Sequence, residues 1–238
     1  MVLTREAEDN EPLAHALALR GVKVLNIPCM ATRYLVPDYI PKDFHAVTFS
    51  SRRGVRGLRK AGLLQKVMGS SPRPLVGVVG KSTGDELRQD GFEPDLQADP
   101  ANGEVLAQLL LERLEAGKVV LTVRGNLRAG KMDAICERAN LVIVPLEVYE
   151  NQQVLVQKIQ PFAGSVAFVA SPSAGRRLLL ANPWMVGARF VVIGSTTEKE
   201  LRLRGATRLR KVGAGMDKWI EALCQEYKEA IKEVGRNH

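Results

Sequence analysis

The chain has 238 residues, 45% of them hydrophobic and 25% charged, which bounds it to one large or two small globular domains. No apolar run reaches the ~18 residues of a membrane-spanning helix. The early acidic stretch Glu6-Ala7-Glu8-Asp9 is wrong for a secretory signal, so a cytoplasmic protein with no membrane partner is expected. A net charge of +8 favours an anionic partner without choosing among nucleic acid, phosphate and a polycarboxylate; an aromatic content of only 5%, with none in the densest basic run, withholds the stacking surface of a single-strand binder, and no nucleic-acid partner is expected.

Apolar segments alternate with amphipathic ones along the chain. Val2–Thr4 reads as a strand, and residues 10–20 as a helix that places Leu13 and Leu17 on one face and stops before Gly21. Strands follow at Val22–Ile27, Ala46–Ser50 and Leu75–Gly80. After Asn102 a helix carries Val105, Leu106, Leu109, Leu110 and Leu114 and ends by Gly117. The next strands are Val119–Arg124, Leu141–Val148, Ser165–Ala170 and Arg189–Gly194. The basic run Arg202–Lys211 covers a helix end and the strand after it, and reads as a solvated face. The last helix has Met216, Trp219, Ile220, Leu223, Tyr227, Ala230, Ile231 and Val234 at three- and four-residue steps, a stripe for core contact. Such alternation argues for an α/β fold with mostly parallel strands.

One stretch occurs twice. Val78-Val79-Gly80-Lys81-Ser82-Thr83-Gly84-Asp85-Glu86-Leu87-Arg88 returns as Val192-Ile193-Gly194-Ser195-Thr196-Thr197-Glu198-Lys199-Glu200-Leu201-Arg202. Two further pairs accompany it. Val2-Leu3-Thr4-Arg5 resembles Val120-Leu121-Thr122-Val123-Arg124, and Phe49-Ser50-Ser51 resembles Val169-Ala170-Ser171. In the middle of the chain the order is serine turn, threonine turn, arginine turn; in the outer pieces the arginine turn comes first. Insertion of one domain into its sibling explains this. Domain 1 is expected over 1–30 plus 154–238 and domain 2 over 35–148, with a hinge at 30–35 and 149–154. Ligands in bilobed proteins commonly sit beside such a hinge.

The turns after parallel strands lie at the sheet edge where ligands bind. A hydroxyl there either caps its helix or, with free amides and the helix dipole, meets an anion. For Ser82 and Thr196 the duplication in two domains favours ligand contact. Gly125 to Met132 nearly matches a P-loop, but Met132 replaces the metal-binding hydroxyl. A glycine-softened turn before a helix is the better reading, with Arg124, Gly125 and Asn126 offering a cation and amides to a carboxylate. Tyr149, at the return crossing, either packs at a domain junction or donates to a leaving oxygen. The three cysteines (Cys29, Cys136, Cys224) and three histidines (His15, His45, His238) are scattered, so neither a metal site nor a disulfide framework is expected.

Taken together, Leu3-Thr4-Arg5, Thr48-Phe49-Ser50-Ser51, Val79-Gly80-Lys81-Ser82-Thr83, Val123-Arg124-Gly125-Asn126, Leu146-Glu147-Val148-Tyr149, Ser171-Pro172-Ser173 and Ile193-Gly194-Ser195-Thr196-Thr197 resemble the uroporphyrinogen-III synthase family. Order and spacing carry the resemblance over nearly the whole chain. It implies two flavodoxin-like parallel-sheet domains, one inserted into the other, joined by a two-stranded hinge. It also implies a cofactor-free lyase of haem, sirohaem or cobalamin synthesis that closes hydroxymethylbilane with inversion of ring D. Tyr149 would assist departure of the hydroxyl, and Thr83 and Thr196 would be the cleft threonines. Substrate contacts would come from Thr4, Arg5, Ser50, Ser51, Arg53, Lys81, Ser82, Thr83, Arg124, Gly125, Asn126, Ser171, Ser173, Ser195, Thr196 and Thr197. A monomer that receives substrate from hydroxymethylbilane synthase is expected. Arg52 departs from the proline common after this serine in the family, and Lys81 adds a charge where Ser195 stands. The competing readings are a non-catalytic bilobed tetrapyrrole-binding or regulatory protein and, third, a nucleotide-binding enzyme.

Overall fold

A computed structural model describes residues 1–126, 130–152 and 154–236. In chain order the elements are β1 (Val2–Leu3), α1 (Ala7–Ala18), β2 (Leu25–Asn26), β3 (Ala31–Tyr34), β4 (Ala46–Phe49), α2 (Arg52–Lys60) and α3 (Leu64–Met68). Next come β5 (Leu75–Val78), α4 (Lys81–Arg88), β6 (Leu96–Gln97), α5 (Gly103–Leu111), β7 (Val119–Gly125), α6 (Lys131–Arg138) and β8 (Val142–Gln152). The chain then forms β9 (Val166–Val169), α7 (Pro172–Ala181), a 3-10 turn (Pro183–Gly187), β10 (Arg189–Ile193), α8 (Ser195–Leu203), β11 (Arg208–Val212) and α9 (Met216–Arg236). None of the described helices is long and apolar enough to cross a membrane.

The chain divides into an outer unit, Met1–Ala31 with Gln152–His238, and an inserted unit, Thr32–Asn151. The outer sheet runs β2-β1-β9-β10-β11, with every pair parallel. The inserted sheet runs β3-β8-β7-β4-β5-β6, and its core pairs are likewise parallel. Leaving aside the edge strand β3, the two sheets are the same sheet. β8-β7-β4-β5-β6 matches β2-β1-β9-β10-β11 place for place, but in the inserted unit the first two positions come last in the chain. The units are therefore circular permutations of each other, which is why the turn order differs between the middle and the ends of the sequence. Residues 31–34 and 149–152 of the segments expected as a hinge fall in β3 and β8, neighbours in the inserted sheet, next to which Leu35 N–H donates to the Val148 carbonyl at 2.9 Å.

Side chains alternate across each sheet with period two, so each buries both faces. In β4 and β7, Val47, Phe49, Leu121 and Val123 face the α2 side, while Ala46 and Val120 pack with Leu106, Leu110 and Cys136 of α5 and α6. In β9, Ala167 and Val169 meet α7 and α8, while Val166 and Phe168 meet α1 and α9. Of the expected stripe of α9, Leu223 and Ala230 are buried in that last core and Met216, Trp219, Ile220 and Tyr227 pack against it; Ala222, outside the stripe, joins them, whereas Ile231 is exposed.

Several sequence expectations are corrected at element ends. The strand expected over Val22–Ile27 pairs only at Leu25–Asn26, and Val22 and Val24 pack in the core ahead of it. α1 begins at Ala7 rather than near residue 10. β6, a short edge, went unforeseen, while β3, the other edge, lies in the segment expected as one arm of the two-stranded hinge. Residues 127–129 of the near-P-loop, like His238, lie outside the described residues.

Candidate active site

The inserted unit carries a pocket of about 370 Å³ at the carboxyl edge of its sheet. β4 supplies Thr48 and the following Ser50, β7 supplies Thr122, Arg124 and Gly125, and β8 supplies Tyr149. The N-termini of α5 and α6 form the other wall, at Asn102–Glu104 and Gly130–Asp133. Thr48 and Thr122 are paired in register, so both hydroxyls fall on the same, α5/α6 side of the sheet.

A register shift between Arg124 and Gly125 places Gly125 opposite Tyr149 rather than Val148. This bulge re-aims the tyrosine, so that Val148 and Tyr149 both join one core cluster. Tyr149 is 8% exposed, and its hydroxyl lies 3.1 Å from Ser51 Oγ. Gly125 forms the seat of the ring: a β-carbon there would overlap the Tyr149 side chain. Asn126 N–H donates to the Tyr149 carbonyl at 3.1 Å, and Asn126 Oδ1 accepts from Asn151 N–H at 3.3 Å, which ties the arginine turn to the tyrosine strand. Arg53 Nη1 reaches Asn151 Oδ1 at 3.5 Å.

The pocket's two described cations are both ion-paired. Arg124 Nη1 meets Asp133 Oδ2 at 2.5 Å, with side chains 20% and 9% exposed. Lys131 meets Glu104 at 2.6 Å, and the hydrogen bond and charge of that carboxylate raise its ammonium above the ordinary value. The outer unit repeats the first pair. Arg5 Nη2 meets Asp9 Oδ2 at 3.2 Å, and the guanidinium also lies over Trp219. In both units the arginine lies near the carboxyl end of a strand and the aspartate is the third residue of the following helix. Neither Asp9 nor Asp133 was singled out from sequence; the signal was an acid at equal helical depth after each arginine turn.

The threonine turns differ from their sequence reading. Neither Ser82 nor Thr196 is an N-cap. The caps are Gly80 and Gly194, at φ 86 and 79, and each makes no side-chain cap bond. The second helical residues, Ser82 and Thr196, are exposed beside Lys81 and Ser195. The third, Thr83 and Thr197, are 2% and 1% exposed, and Thr83 Oγ1 donates back to the Val79 carbonyl at 3.3 Å. Ser195 Oγ accepts from Lys211 Nζ at 3.4 Å. Elsewhere in the outer unit, Thr4 is buried and donates to the Phe168 carbonyl at 2.9 Å. Ser171 Oγ accepts from Ala174 N–H and lies 3.3 Å from Ser173 Oγ.

Thus the structure gathers Ser50, Arg124, Gly125 and Tyr149 around one pocket, with Ser51 directly behind the tyrosine. Thr48, Asn102, Thr122 and Asp133 join them without having been foreseen as site residues. Cys29 and Cys136 take no part: burial pushes their thiols up to about 12 and about 11. Among the described residues no group of acids, cysteines and histidines is arranged to hold a metal ion.

The family model HEM4, uroporphyrinogen-III synthase HemD, matches residues 11–216. The chain belongs to the uroporphyrinogen-III synthase family. It is accordingly a lyase-type enzyme of porphyrin synthesis, and the family implies hydroxymethylbilane as substrate. Solved structures share the fold at low identity. Uroporphyrinogen-III synthetase from Helicobacter pylori is 18% identical with a TM-score of 0.66, over 94% of this chain and 97% of that one. A mutant uroporphyrinogen III synthase from the extremely thermophilic bacterium Thermus thermophilus is 14% identical with a TM-score of 0.57, over 98% of each. No curated protein matches the chain by sequence. The family fold of two α/β domains is the duplicated architecture described above.

Proposed function

We propose that the pocket of the inserted unit is where this chain carries out the family's closure of hydroxymethylbilane to uroporphyrinogen III. Tyr149 would be the group that assists loss of the terminal hydroxyl. The observation that carries this reading is a tyrosine hydroxyl held on the wall of a pocket whose described cations, Arg124 and Lys131, are each paired with a carboxylate. Loss of hydroxide from the hydroxymethyl end leaves an azafulvene cation. An unpaired guanidinium or ammonium beside it would raise the barrier, whereas neutral hydroxyls do not. The phenol gives its proton to the departing oxygen, which leaves as water, and the proton released from the ring carbon when the macrocycle closes restores the phenol. The cationic carbon then bonds to the substituted carbon of ring D, and the spiro intermediate rearranges before the ring closes. Holding a flexible chain in the reactive geometry is the main catalytic contribution.

The substrate's eight carboxylates suit a chain of charge +8 whose turns present amides and hydroxyls. Ser50, Arg124, Gly125 and Asn126 would serve in the inserted unit beside the exposed Ser82 and Lys81. Arg5, Ser171, Ser173, Ser195 and Thr196 would serve in the outer unit. Thr4, Thr83 and Thr197 are buried, and their role would be to fix the backbone of these turns. The bilane closes spontaneously to the type I isomer, which favours direct hand-over from hydroxymethylbilane synthase to this chain. Tyr149→Phe tests the central role. Turnover to the type III isomer is expected to fall by at least ~100-fold with the fold intact. Unchanged turnover would remove the tyrosine from the reaction.

A further inference from the structure

We propose that Ser51 is a positioning residue for Tyr149. Its hydroxyl would fix the phenol in place and donate to the phenol oxygen as that oxygen gains negative charge during departure of the substrate hydroxyl. The proposal rests on the role given to Tyr149 above. What carries it is a comparison the chain makes with itself. Ser51 and Ser171 occupy equivalent turns of the two permuted units, and each is the N-cap of the helix that follows. Their backbones agree closely, at φ −157, ψ 159 and φ −147, ψ 153. A serine in this place ordinarily accepts a hydrogen bond from an amide of the first turn. Ser171 does so, from Ala174 N–H at 3.3 Å. Ser51 makes no cap bond with α2; its oxygen lies 3.1 Å from Tyr149 Oη instead.

The helix that goes without its cap is the one most in need of it. α2 opens with Arg52 and Arg53 and has no acid in its first turn. Cations at a helix N-terminus oppose the dipole. A serine free to choose would stabilise that end, yet its hydroxyl is committed to the tyrosine. On its other side the ring lies against Gly125, where no side chain fits. The phenol is thus held from beneath by a glycine and at its oxygen by a serine, which leaves its proton available to an oxygen in the pocket.

Four variants test this: Ser51→Ala, Ser51→Thr, Tyr149→Phe and the double variant Ser51→Ala/Tyr149→Phe. They are assayed with enzymatically made hydroxymethylbilane by separating the isomers after oxidation. Ser51→Ala is expected to lower kcat about tenfold with little change in KM, the scale of one hydrogen bond in the transition state. Ser51→Thr keeps the hydroxyl and should restore most of that loss. The double variant should be no slower than Tyr149→Phe alone. Ser171→Ala, followed by thermal unfolding, supplies the contrast: loss of a working cap should lower Tm by about 2–4 °C, and Ser51→Ala should lower it less. Unchanged kcat in Ser51→Ala, or full additivity with Tyr149→Phe, would overturn the inference while leaving Tyr149 in place. So would a Tm loss in Ser51→Ala equal to that of Ser171→Ala with activity intact. Wild-type turnover in Tyr149→Phe would overturn both readings together.

Discussion

Asp133 is the residue on which the electrostatics of the pocket turns. Its carboxylate neutralises Arg124, whose Nε is buried without a partner of its own. Asp133→Asn would leave a guanidinium uncompensated beside a reaction that passes through a cation. Turnover is expected to fall about tenfold, and stability by about 2 kcal/mol, less than a fully buried pair would lose because Arg124 keeps some contact with water. Steady-state kinetics with urea unfolding checks both, and an unchanged kcat would contradict the electrostatic role. This aspartate was not evident in the sequence, since an acid three residues into a helix is ordinary. Only the structure pairs it with Arg124 and reveals the same pairing at Arg5 and Asp9. Tyr149 was legible as a candidate, but its environment was not. The bulge that turns it toward Gly125 leaves no mark on a run that simply reads Leu146-Glu147-Val148-Tyr149.

At the scale of elements, the duplicated threonine turn shows both the reach and the limit of sequence. The repeat located two equivalent strand–turn–helix units. It did not say which hydroxyl points outward, because that depends on where each helix starts. Both helices start at a glycine with positive φ and ψ near 160, a conformation closed to other residues, so the caps are Gly80 and Gly194 and the hydroxyls fall inside the first turn. Counting from those glycines, Ser82 corresponds to Thr196 and Thr83 to Thr197. The resemblance had matched Thr83 and Thr196 as cleft threonines, but these stand at different depths, one buried and one exposed. Alanine at either glycine is expected to cost about 1–3 kcal/mol from backbone strain. Gly80→Ala should cost more, because its β-carbon would lie 2.8 Å from that of Ala101, whereas nothing lies within 4 Å at Gly194. Urea unfolding of the two variants measures the difference; equal costs would contradict the packing argument. The edge β6 escaped sequence reading because a strand of two residues is too short to show alternation.

At the scale of the whole molecule, each unit is tied together by arginine–carboxylate clusters that share a response to acid. In the inserted unit, burial opposes ionisation of Glu86, but hydrogen bonds and charge from Arg56 and Arg59 outweigh it and hold the carboxyl below its ordinary value. In the outer unit the hydrogen bond from Arg189 lowers Glu233, with Arg208 assisting, where α9 docks on β10. In the unfolded chain these carboxyls return to ordinary values near 4.5 and take up protons first on acidification. The stability they supply is therefore complete above that value and is lost as pH falls through the lowered folded values. Tm should be flat from neutrality to about pH 5 and fall steeply below about pH 4.5. Arg59→Met should shrink the acid-dependent part of the loss, and a Tm independent of pH down to about pH 3 would contradict this linkage.

The duplicated fold was legible because permutation leaves local motifs intact: each strand–turn–helix keeps its residues whatever its place in the chain. The order of the sheets was not, since strand neighbours are a tertiary fact. Family membership and fold together assign a reaction whose product is chemically distinct from what the substrate forms unaided. The most direct measurement is therefore the isomer composition after the protein is incubated with enzymatically made hydroxymethylbilane and the products are oxidised and separated. Uroporphyrinogen III is expected as the dominant product, and formation of the type I isomer alone would contradict the assignment.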